Sequence, residues 1–352
     1  MELQTFLDGF EHRDWDTDPD GEVRMAVVGL GNYARHVSVP AIEVSDYCTF
    51  AVGVSGTPET RREVETEHGV RTIDYEAYAE GAATDAYDAV YIATPNRRHL
   101  PHAETAAGHG KAVICEKPLE ATAERAERLV EACEDAGVTL MTAYRMQADP
   151  VVRRLGAAIR AGELGTVTRA FGNFTFDVLA GSRGPDQWRL DSHLAGGGAL
   201  MDLGVYPLNT TRFLLDADPV AVRGETRRSE PFDDVDEHVD FSVTFPDCVG
   251  NFAASFSGHA DTRLRLHGTR GIVELTEAFG VGGERRLAVE TGDGRAVFEG
   301  FGRDETREEF DYFAHCLLTG HSPEPDGQDG LTDVETMMAV YESARSGERV
   351  SL

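Results

Sequence analysis

The sequence predicts an α/β protein in two parts: a doubly wound parallel sheet, then an α+β domain built on a mostly antiparallel sheet with one face covered. Three observations predict it. Short apolar, β-branched runs alternate with stretches of helical periodicity up to about residue 145. After about residue 146 apolar and polar residues alternate in successive longer runs. A G-x-G-x-x-A spacing closes the first apolar run just before a helical stretch.

The elements follow in order. Residues 1–22 are acidic and turn-rich, ending in Asp18-Pro19-Asp20-Gly21, and form an arm before the first strand. "VRMAVVGLG" (23–31), "TFAVGVSG" (49–56) and "DAVYIATP" (88–95) have the continuous apolar character of strands buried on both faces. "KAVIC" (111–115) and "VTLMTAY" (138–144) repeat it. Between these last two, Ala126, Leu129, Val130 and Cys133 fall at i, i+3, i+4 and i+7 behind a Thr122 cap, which makes 122–136 a helix. A helix fits "DPVVRRLGAAIRAG" (149–162), after which "TVTRAFGNFTFDV", "HVDFSVTF", "GNFAASFSG", "DTRLRLHG" and "RRLAVETG" alternate with period two and are joined by turns such as "PDCVG" and "GDG". Helical patterns around 305–318 and 331–345 close the chain. The resulting division is an arm (1–22), a dinucleotide-binding domain (23–145) and an α+β substrate and oligomerisation domain (146–352), with room for the last helix to pack back on the first domain.

Composition narrows the partners. Asp plus Glu number 62 against 33 Lys plus Arg, a net charge of −29 whose field repels nucleic acid phosphates and anionic lipid heads. Only two of the 33 cations are lysines, Lys111 and Lys117. Spread-out carboxylates with almost no lysine fit a protein adapted to very high salt; the alternative is an ordinary acidic cytosolic protein. No apolar run approaches the roughly 20 residues of a membrane span, and the N-terminus lacks a basic start and an apolar signal core, so the expectation is a cytoplasmic protein. Cys48, Cys115, Cys133, Cys248 and Cys316 have no C-x-x-C spacing, which points to neither a disulfide framework nor a zinc cluster.

The chemistry-bearing residues come next. "GLGNYA" supplies Gly29, Gly31, Asn32, Tyr33 and Ala34; the glycines let a pyrophosphate approach backbone N–H groups at a helix start, and the small third residue lets helix and strand pack. The second strand ends in Ser55, not in the acidic residue that bonds a ribose 2′-hydroxyl, and Arg61 and Arg62 follow, which favours NADP; alternatively either arginine is a solvated helix residue. "VICEKPL" places Glu116, Lys117 and Pro118 past a strand's carboxyl end, where Pro118 keeps the preceding backbone extended and admits a cis bond. Lys117 there can polarise a substrate hydroxyl and lower the pKa of a neighbouring acid, or it is a compositional remnant. "WRLDSHLAGGGALMDLGVYPLN" (188–209) sets Asp202, Tyr206 and Asn209 at spacings of four and three, on one helical face, with glycines that let backbone approach a ligand. A tyrosine titrates near 10, so Tyr206 as a base needs a cation beside it; its alternative is packing.

In order and spacing, "VVGLGNYA", "VSG", "YIATPNRRH", "CEKPL", "AYR", "QWRL" and "GGGALMDLGVYPLN" resemble the glucose-fructose oxidoreductase, inositol dehydrogenase and rhizopine catabolism family over about residues 23–350. Within it the chain is most similar to the branch of glucose-fructose oxidoreductase and the NADP-dependent aldose 1-dehydrogenases, above all the D-xylose dehydrogenases of salt-loving microbes. The resemblance implies a Rossmann domain, then an α/β domain whose open sheet face forms homodimers or homotetramers, with catalysis in the cleft between domains. It implies Lys117, Asp202 and Tyr206 as catalytic residues and Thr94, Pro95, Asn96 and His99 as a loop lining the cofactor. Trp188 and Arg189 match a pair near the nicotinamide, and Arg145 and Asn209 fall at the substrate. Many members have His where Tyr206 stands and Asp where Asn209 stands, a departure that fits the aldose branch. His99 and His102 have no third ligand near them for a metal.

The implied reaction is hydride transfer from C1 of a cyclic aldose to NADP+, giving the aldonolactone, with Lys117 and Tyr206 sharing removal of the O1 proton and Asp202 orienting or charging the lysine. One rival is a glucose-fructose oxidoreductase that keeps its NADP under a proline-rich arm, which "EHRDWDTDPD" does not resemble. Another is a sugar- or NADP-sensing regulatory protein, against which the joint retention of Lys117, Asp202 and Tyr206 argues.

Self-repulsion from the net charge of −29 should make folding and activity depend on molar salt. Melts between about 0.1 and 3 M KCl should show a melting temperature that climbs as the Debye length contracts from about 10 Å to about 3 Å or less. A flat response would refute the salt adaptation.

Overall fold

The computed structural model describes residues 12–15, 17–180, 184–281, 285–299 and 304–352. In chain order its main elements are β1 (Val23–Val28), β2 (Cys48–Val54), α1 (Pro58–His68), β3 (Arg71–Ile73), β4 (Ala89–Ile92), α2 (His99–Gly108), β5 (Ala112–Glu116), α3 (Ala123–Ala136) and β6 (Leu140–Ala143). There follow α4 (Pro150–Arg160), β7 (Val167–Thr175), α5 (Val205–Leu215), β8 (Ala221–Arg227), β9 (His238–Thr244), β10 (Val249–Ser255), β11 (Asp261–Gly268) and β12 (Gly271–Thr276). The chain closes with β13 (Arg286–Thr291), β14 (Gly294–Glu299), α6 (Glu305–Thr319), α7 (Gly327–Ser346) and β15 (Val350–Ser351). No helix among the described residues is long and apolar enough to cross a membrane.

Two compact units result. The first joins Trp15–Ala148 to Asp304–Leu331. Its six strands, ordered β3-β2-β1-β4-β5-β6, all pair in parallel. β4 and β6 are buried at every residue, which is why they read as unbroken apolar runs. The strand order reverses between β1 and β4, the switch point at whose carboxyl end a doubly wound sheet takes its ligand. α3 buries Ala126, Leu129, Val130 and Cys133, the four residues of its periodic stripe, but Thr122 at its start makes no side-chain capping bond, contrary to the expected cap. The sequence reading placed 304–331 with the second domain, yet this segment groups with the first sheet. Phe310 and Phe313 of α6 are fully buried, and the Phe310 ring meets Tyr91 at 5.1 Å. Thr142 N–H donates to the Pro325 carbonyl at 2.7 Å, so the edge of β6 is covered rather than left open.

The second unit comprises 149–303 and 332–352, with the described residues 12–14. Its nine strands run β14-β13-β12-β11-β7-β10-β9-β8-β15 and pair antiparallel except for β7 with β10. Along β9, β10 and β11 burial alternates residue by residue. One face is therefore core. The other, carrying Phe171, Asn173, Asp240, Ser242, Arg263 and Arg265, forms a shallow groove of about 840 Å³. α4 begins where the buried Asp149 carboxylate accepts from Val151 N–H (2.9 Å) and Val152 N–H (3.0 Å) and pairs with Arg285. α5 lies close over β7: a Cβ at Gly172 would stand 2.8 Å from Pro207.

Candidate active site

In the first unit the predicted residues gather at the carboxyl ends of the strands. Gly29 has φ +98°, and a Cβ there would lie 2.7 Å from the Ala93 carbonyl oxygen, so only glycine turns this corner. A Cβ at Gly31 would meet nothing within 4 Å, which leaves its backbone open to a ligand. Asn32 and Tyr33 start the following helical segment, and Ala34 is buried in it at the head of a wide π-type turn, Ala34–Ser38. At the end of β2, Ser55 is 6 % exposed, and Arg61 Nη1 donates to its carbonyl at 2.6 Å. Arg62 instead pairs with Glu59 of its own helix at 2.7 Å and is exposed, the solvated alternative. The sequence reading missed the Tyr75 ring, which stands 3.2 Å from where a Gly56 Cβ would be and stacks on His102 with centroids 5.0 Å apart. Burial, then His99 and Arg98, lowers the His102 pKa to about 4, so near pH 7 that ring is neutral.

After β4, Thr94 is 6 % exposed and its hydroxyl has no hydrogen-bond partner among the described residues. Pro95 leads into a short turn headed by buried Asn96. His99 is fully buried, with Nε2 on the Thr94 carbonyl (2.9 Å) and Nδ1 on that of Leu119 (3.1 Å). It therefore straps the β4 loop to the loop after β5. There the Lys117–Pro118 bond is cis. The Glu116 carboxylate accepts from Tyr91 Oη–H at 2.5 Å and from Lys117 N–H at 3.2 Å, and Ser38 Oγ lies 2.8 Å from Tyr91 Oη. Because the Tyr91 hydroxyl is spent on Glu116, Ser38 is the donor in that second bond, and the chain of three links the π-type turn to the lysine. Burial first, and Glu116 next, pushes the Tyr91 phenol far up. Arg145 does not stand open to a substrate: it is 3 % exposed and pairs with Glu305. Beside it burial raises the Glu309 carboxyl well above the usual range, Glu116 adding to the shift and Arg145 opposing it.

These features fit a dinucleotide with a 2′-phosphate: a corner only glycine can make, an open backbone at Gly31, a buried Thr94 hydroxyl lacking a partner, and Arg61 at a strand end without a carboxylate.

In the second unit Trp188 and Arg189 lie in one short turn, the guanidinium 4.7 Å from the centre of the indole. Arg189 Nε donates to Asp202 Oδ2 at 3.0 Å, a pairing the spacing did not announce. The glycine triplet serves a different purpose from the one expected. A Cβ at Gly197 would lie 2.1 Å from Tyr341 Oη, and one at Gly198 2.1 Å from the Asp236 carbonyl, so the protein's own atoms fill the space read as a ligand approach. Buried Asp236 accepts from Gly198 N–H (2.7 Å), Leu200 N–H (2.8 Å) and Tyr341 Oη–H (2.6 Å), and so caps the segment that carries Asp202. Asp202 is half-buried in a wide π-type turn, Leu200–Gly204; Tyr206, also half-buried, follows on α5 with its ring 5.2 Å from Phe174 and 5.8 Å from Phe279. Asn209 departs from this face: it is 2 % exposed and its amide donates to Asp333 at 2.7 Å.

The chain was compared with known proteins. Residues 23–144 match the family model described as an oxidoreductase family with an NAD-binding Rossmann fold, and residues 152–274 match the GFO/IDH/MocA C-terminal domain. The D-xylose 1-dehydrogenase [NADP(+)] of Haloarcula marismortui is 46 % identical over 360 residues, covering 100 % of both chains. D-xylose 1-dehydrogenase (NADP(+)) 2 of Haloferax volcanii is 34 % identical over 93 % of this chain and 98 % of its own. Among solved structures, the aldose-aldose oxidoreductase from Caulobacter crescentus, complexed with glycerol, superposes with a TM-score of 0.88 at 33 % identity, covering 94 % of this chain and 100 % of that one.

Two glycines should respond in opposite ways. Gly198→Ala should fail to fold or melt well below the parent, because backbone at Asp236 cannot move aside. Gly31→Ala should melt with the parent yet bind dinucleotide weaker by roughly tenfold or more, about 1.4 kcal/mol. Calorimetry and a binding titration check both, and normal folding of Gly198→Ala would refute the packing argument.

Proposed function

We propose that this chain, which belongs to the GFO/IDH/MocA family of oxidoreductases, oxidises a cyclic aldose at C1 with NADP+ and releases the aldonolactone, with D-xylose as the preferred sugar. The whole-length likeness to the Haloarcula and Haloferax enzymes carries this reading. When bound, NADP+ would supply the hydride acceptor. Gly29, Gly31 and the start of the helix after them would hold its pyrophosphate and Arg61 its 2′-phosphate, with Thr94, Pro95 and Asn96 as further cofactor-binding residues. Tyr206 takes the O1 proton, Lys117 is the cationic catalytic residue of the first unit, and Asp202 is held by Arg189 at 3.0 Å. Loss of the C1 hydride and the O1 proton leaves the lactone carbonyl, so sugar plus NADP+ gives lactone, NADPH and one proton.

The exposed sheet face, with Phe171 44 % exposed, supports assembly with a second copy, and the burial of all five cysteines supports a reducing, cytoplasmic setting. A second reading, an enzyme passing hydride from one aldose to another, is favoured by the likeness to the Caulobacter protein. Absorbance near 340 nm separates the two: a dehydrogenase accumulates NADPH from added NADP+ and xylose at molar salt. An aldose–aldose enzyme interconverts two sugars without added cofactor.

Lys117→Ala should lower kcat by roughly 10²–10⁴ with little change in NADP+ affinity. Tyr206→Phe should fall as far, and the double variant should be little worse than either, as expected of groups acting as one unit. Lys111→Arg is the control, since Lys111 Nζ is tied to the Tyr87 carbonyl at 2.9 Å. Near-full sugar oxidation by Lys117→Ala would sink the mechanism. For the cofactor, Ser55→Asp sets a carboxylate where the 2′-phosphate is proposed to lie and should reverse the ratio of kcat/KM between NADP+ and NAD+. A parent that already prefers NAD+ contradicts the reading of β2.

A further inference from the structure

Asn209 stands three residues after Tyr206 on α5. Its Nδ2 donates to Asp333 Oδ2 at 2.7 Å, and the other oxygen of Asp333 accepts from Arg212 Nη1 at 2.8 Å. All three are buried, Asp333 completely. Arg212 also reaches Asp218 at 2.6 Å. Asp333 belongs to α7, which holds the same segment a second time: Tyr341, two turns further along α7, donates to Asp236, the carboxylate that caps Gly198 and Leu200. The stretch bearing Asp202 and Tyr206 is therefore fastened at both ends to one helix. An amide is what this place demands. A carboxylate at 209 would bring two anions to hydrogen-bond distance away from water, and one of them would have to take a proton.

We propose that Asn209 is a positioning residue rather than a substrate contact: through Asp333 it locks α5 to α7 and so fixes the Tyr206 ring between Phe174 and Phe279. The inference rests on the reading of Tyr206 as the proton acceptor. It departs from the sequence expectation, which set Asn209 against the sugar.

The test exchanges the two groups. With Asn209→Asp and Asp333→Asn combined, the amide donates from the other side while its carbonyl still accepts from Arg212, and the net charge is unchanged. Asn209→Asp alone should lower kcat for aldose oxidation by roughly 10- to 100-fold, the scale of a misplaced catalytic group, with KM for the aldose held within about threefold. The exchanged double variant should return kcat to within about threefold of the parent and recover the melting temperature in parallel, the coupling expected of directly bonded residues. If Asn209→Asp does not fold, folding of the double variant is itself the rescue. A double variant no better than Asn209→Asp in folding and turnover overturns the proposal. So does a rise in aldose KM at unchanged kcat, the mark of a sugar contact. A parent that oxidises no aldose sinks the functional reading, while recovery of the melting temperature still decides whether the two side chains form the fastening.

Discussion

With two lysines in 352 residues, a buried carboxylate in this protein is answered chiefly by arginine, side-chain amides, backbone N–H groups and hydroxyls. Leaving such a charge uncompensated costs about 3–5 kcal/mol, a large share of a domain's stability. Much of the architecture follows from meeting that demand. Asp149 accepts from the first N–H groups of α4 and pairs with Arg285; Asp236 takes two N–H groups and the Tyr341 hydroxyl; Asp333 takes Asn209 and Arg212. Glu120 receives Ala121 N–H and Arg125. Asp149, Asp236 and Asp333 each sit where two distant pieces of chain must be joined, so the hydrogen bonds that satisfy them also fix the joint.

The surface obeys a different rule. Arg24 makes a two-point contact with Asp88 that holds the Asp88 carboxyl below its usual range, yet both side chains are more than two-fifths exposed. Such pairs contribute about 0–1 kcal/mol, and less as salt rises. Exposed carboxylates can therefore accumulate to a net charge of −29 for solubility while the fold relies on the buried set, whose interactions salt screens much less. Arginine suits that buried set because it stays charged there and reaches two acceptors at once, as Arg212 does with Asp333 and Asp218.

The parallel sheet was legible in the sequence because strands buried on both faces leave unbroken apolar runs, and the antiparallel strands because one covered face leaves alternation. The elements that were not legible have physical reasons. β3 is three residues long with one buried, too short for any period. β8 carries Gly224, which weakens a strand signal but is required there because a Cβ would lie 2.6 Å from Val340. The grouping of 304–331 with the first sheet depends on contacts made across nearly 200 residues, such as the 2.7 Å bond from Thr142 to Pro325. At the candidate site, the glycine corner after β1 followed from local rules, while the cis bond at Lys117 was one of two forms that Pro118 admits. Asp236, Tyr341 and Asp333 did not, because each acts on a segment more than 30 residues away. A spacing of three between Tyr206 and Asn209 suggests a shared face but says nothing of which side chain another helix will cover.

The same distinction explains how each unit holds the residue proposed here as catalytic. Lys117 follows a half-buried glutamate whose two oxygens are committed, one to Tyr91 and one to the lysine's own N–H, and Tyr91 in turn meets Ser38 in the turn beside the glycine corner. Three hydrogen bonds thus tie the turn after the glycine corner to the backbone of Lys117. The Tyr206 ring meets Phe174 and Phe279, and the segment that carries it is anchored by hydrogen bonds further along α5 and at the glycine loop. A proton acceptor must be placed to within a fraction of an ångström for hydride and proton to leave one carbon–oxygen unit together. Buried polar bonds several residues from Tyr206, from Asn209 to Asp333 and from Leu200 to Asp236, give the proposed proton acceptor a fixed helix to stand on.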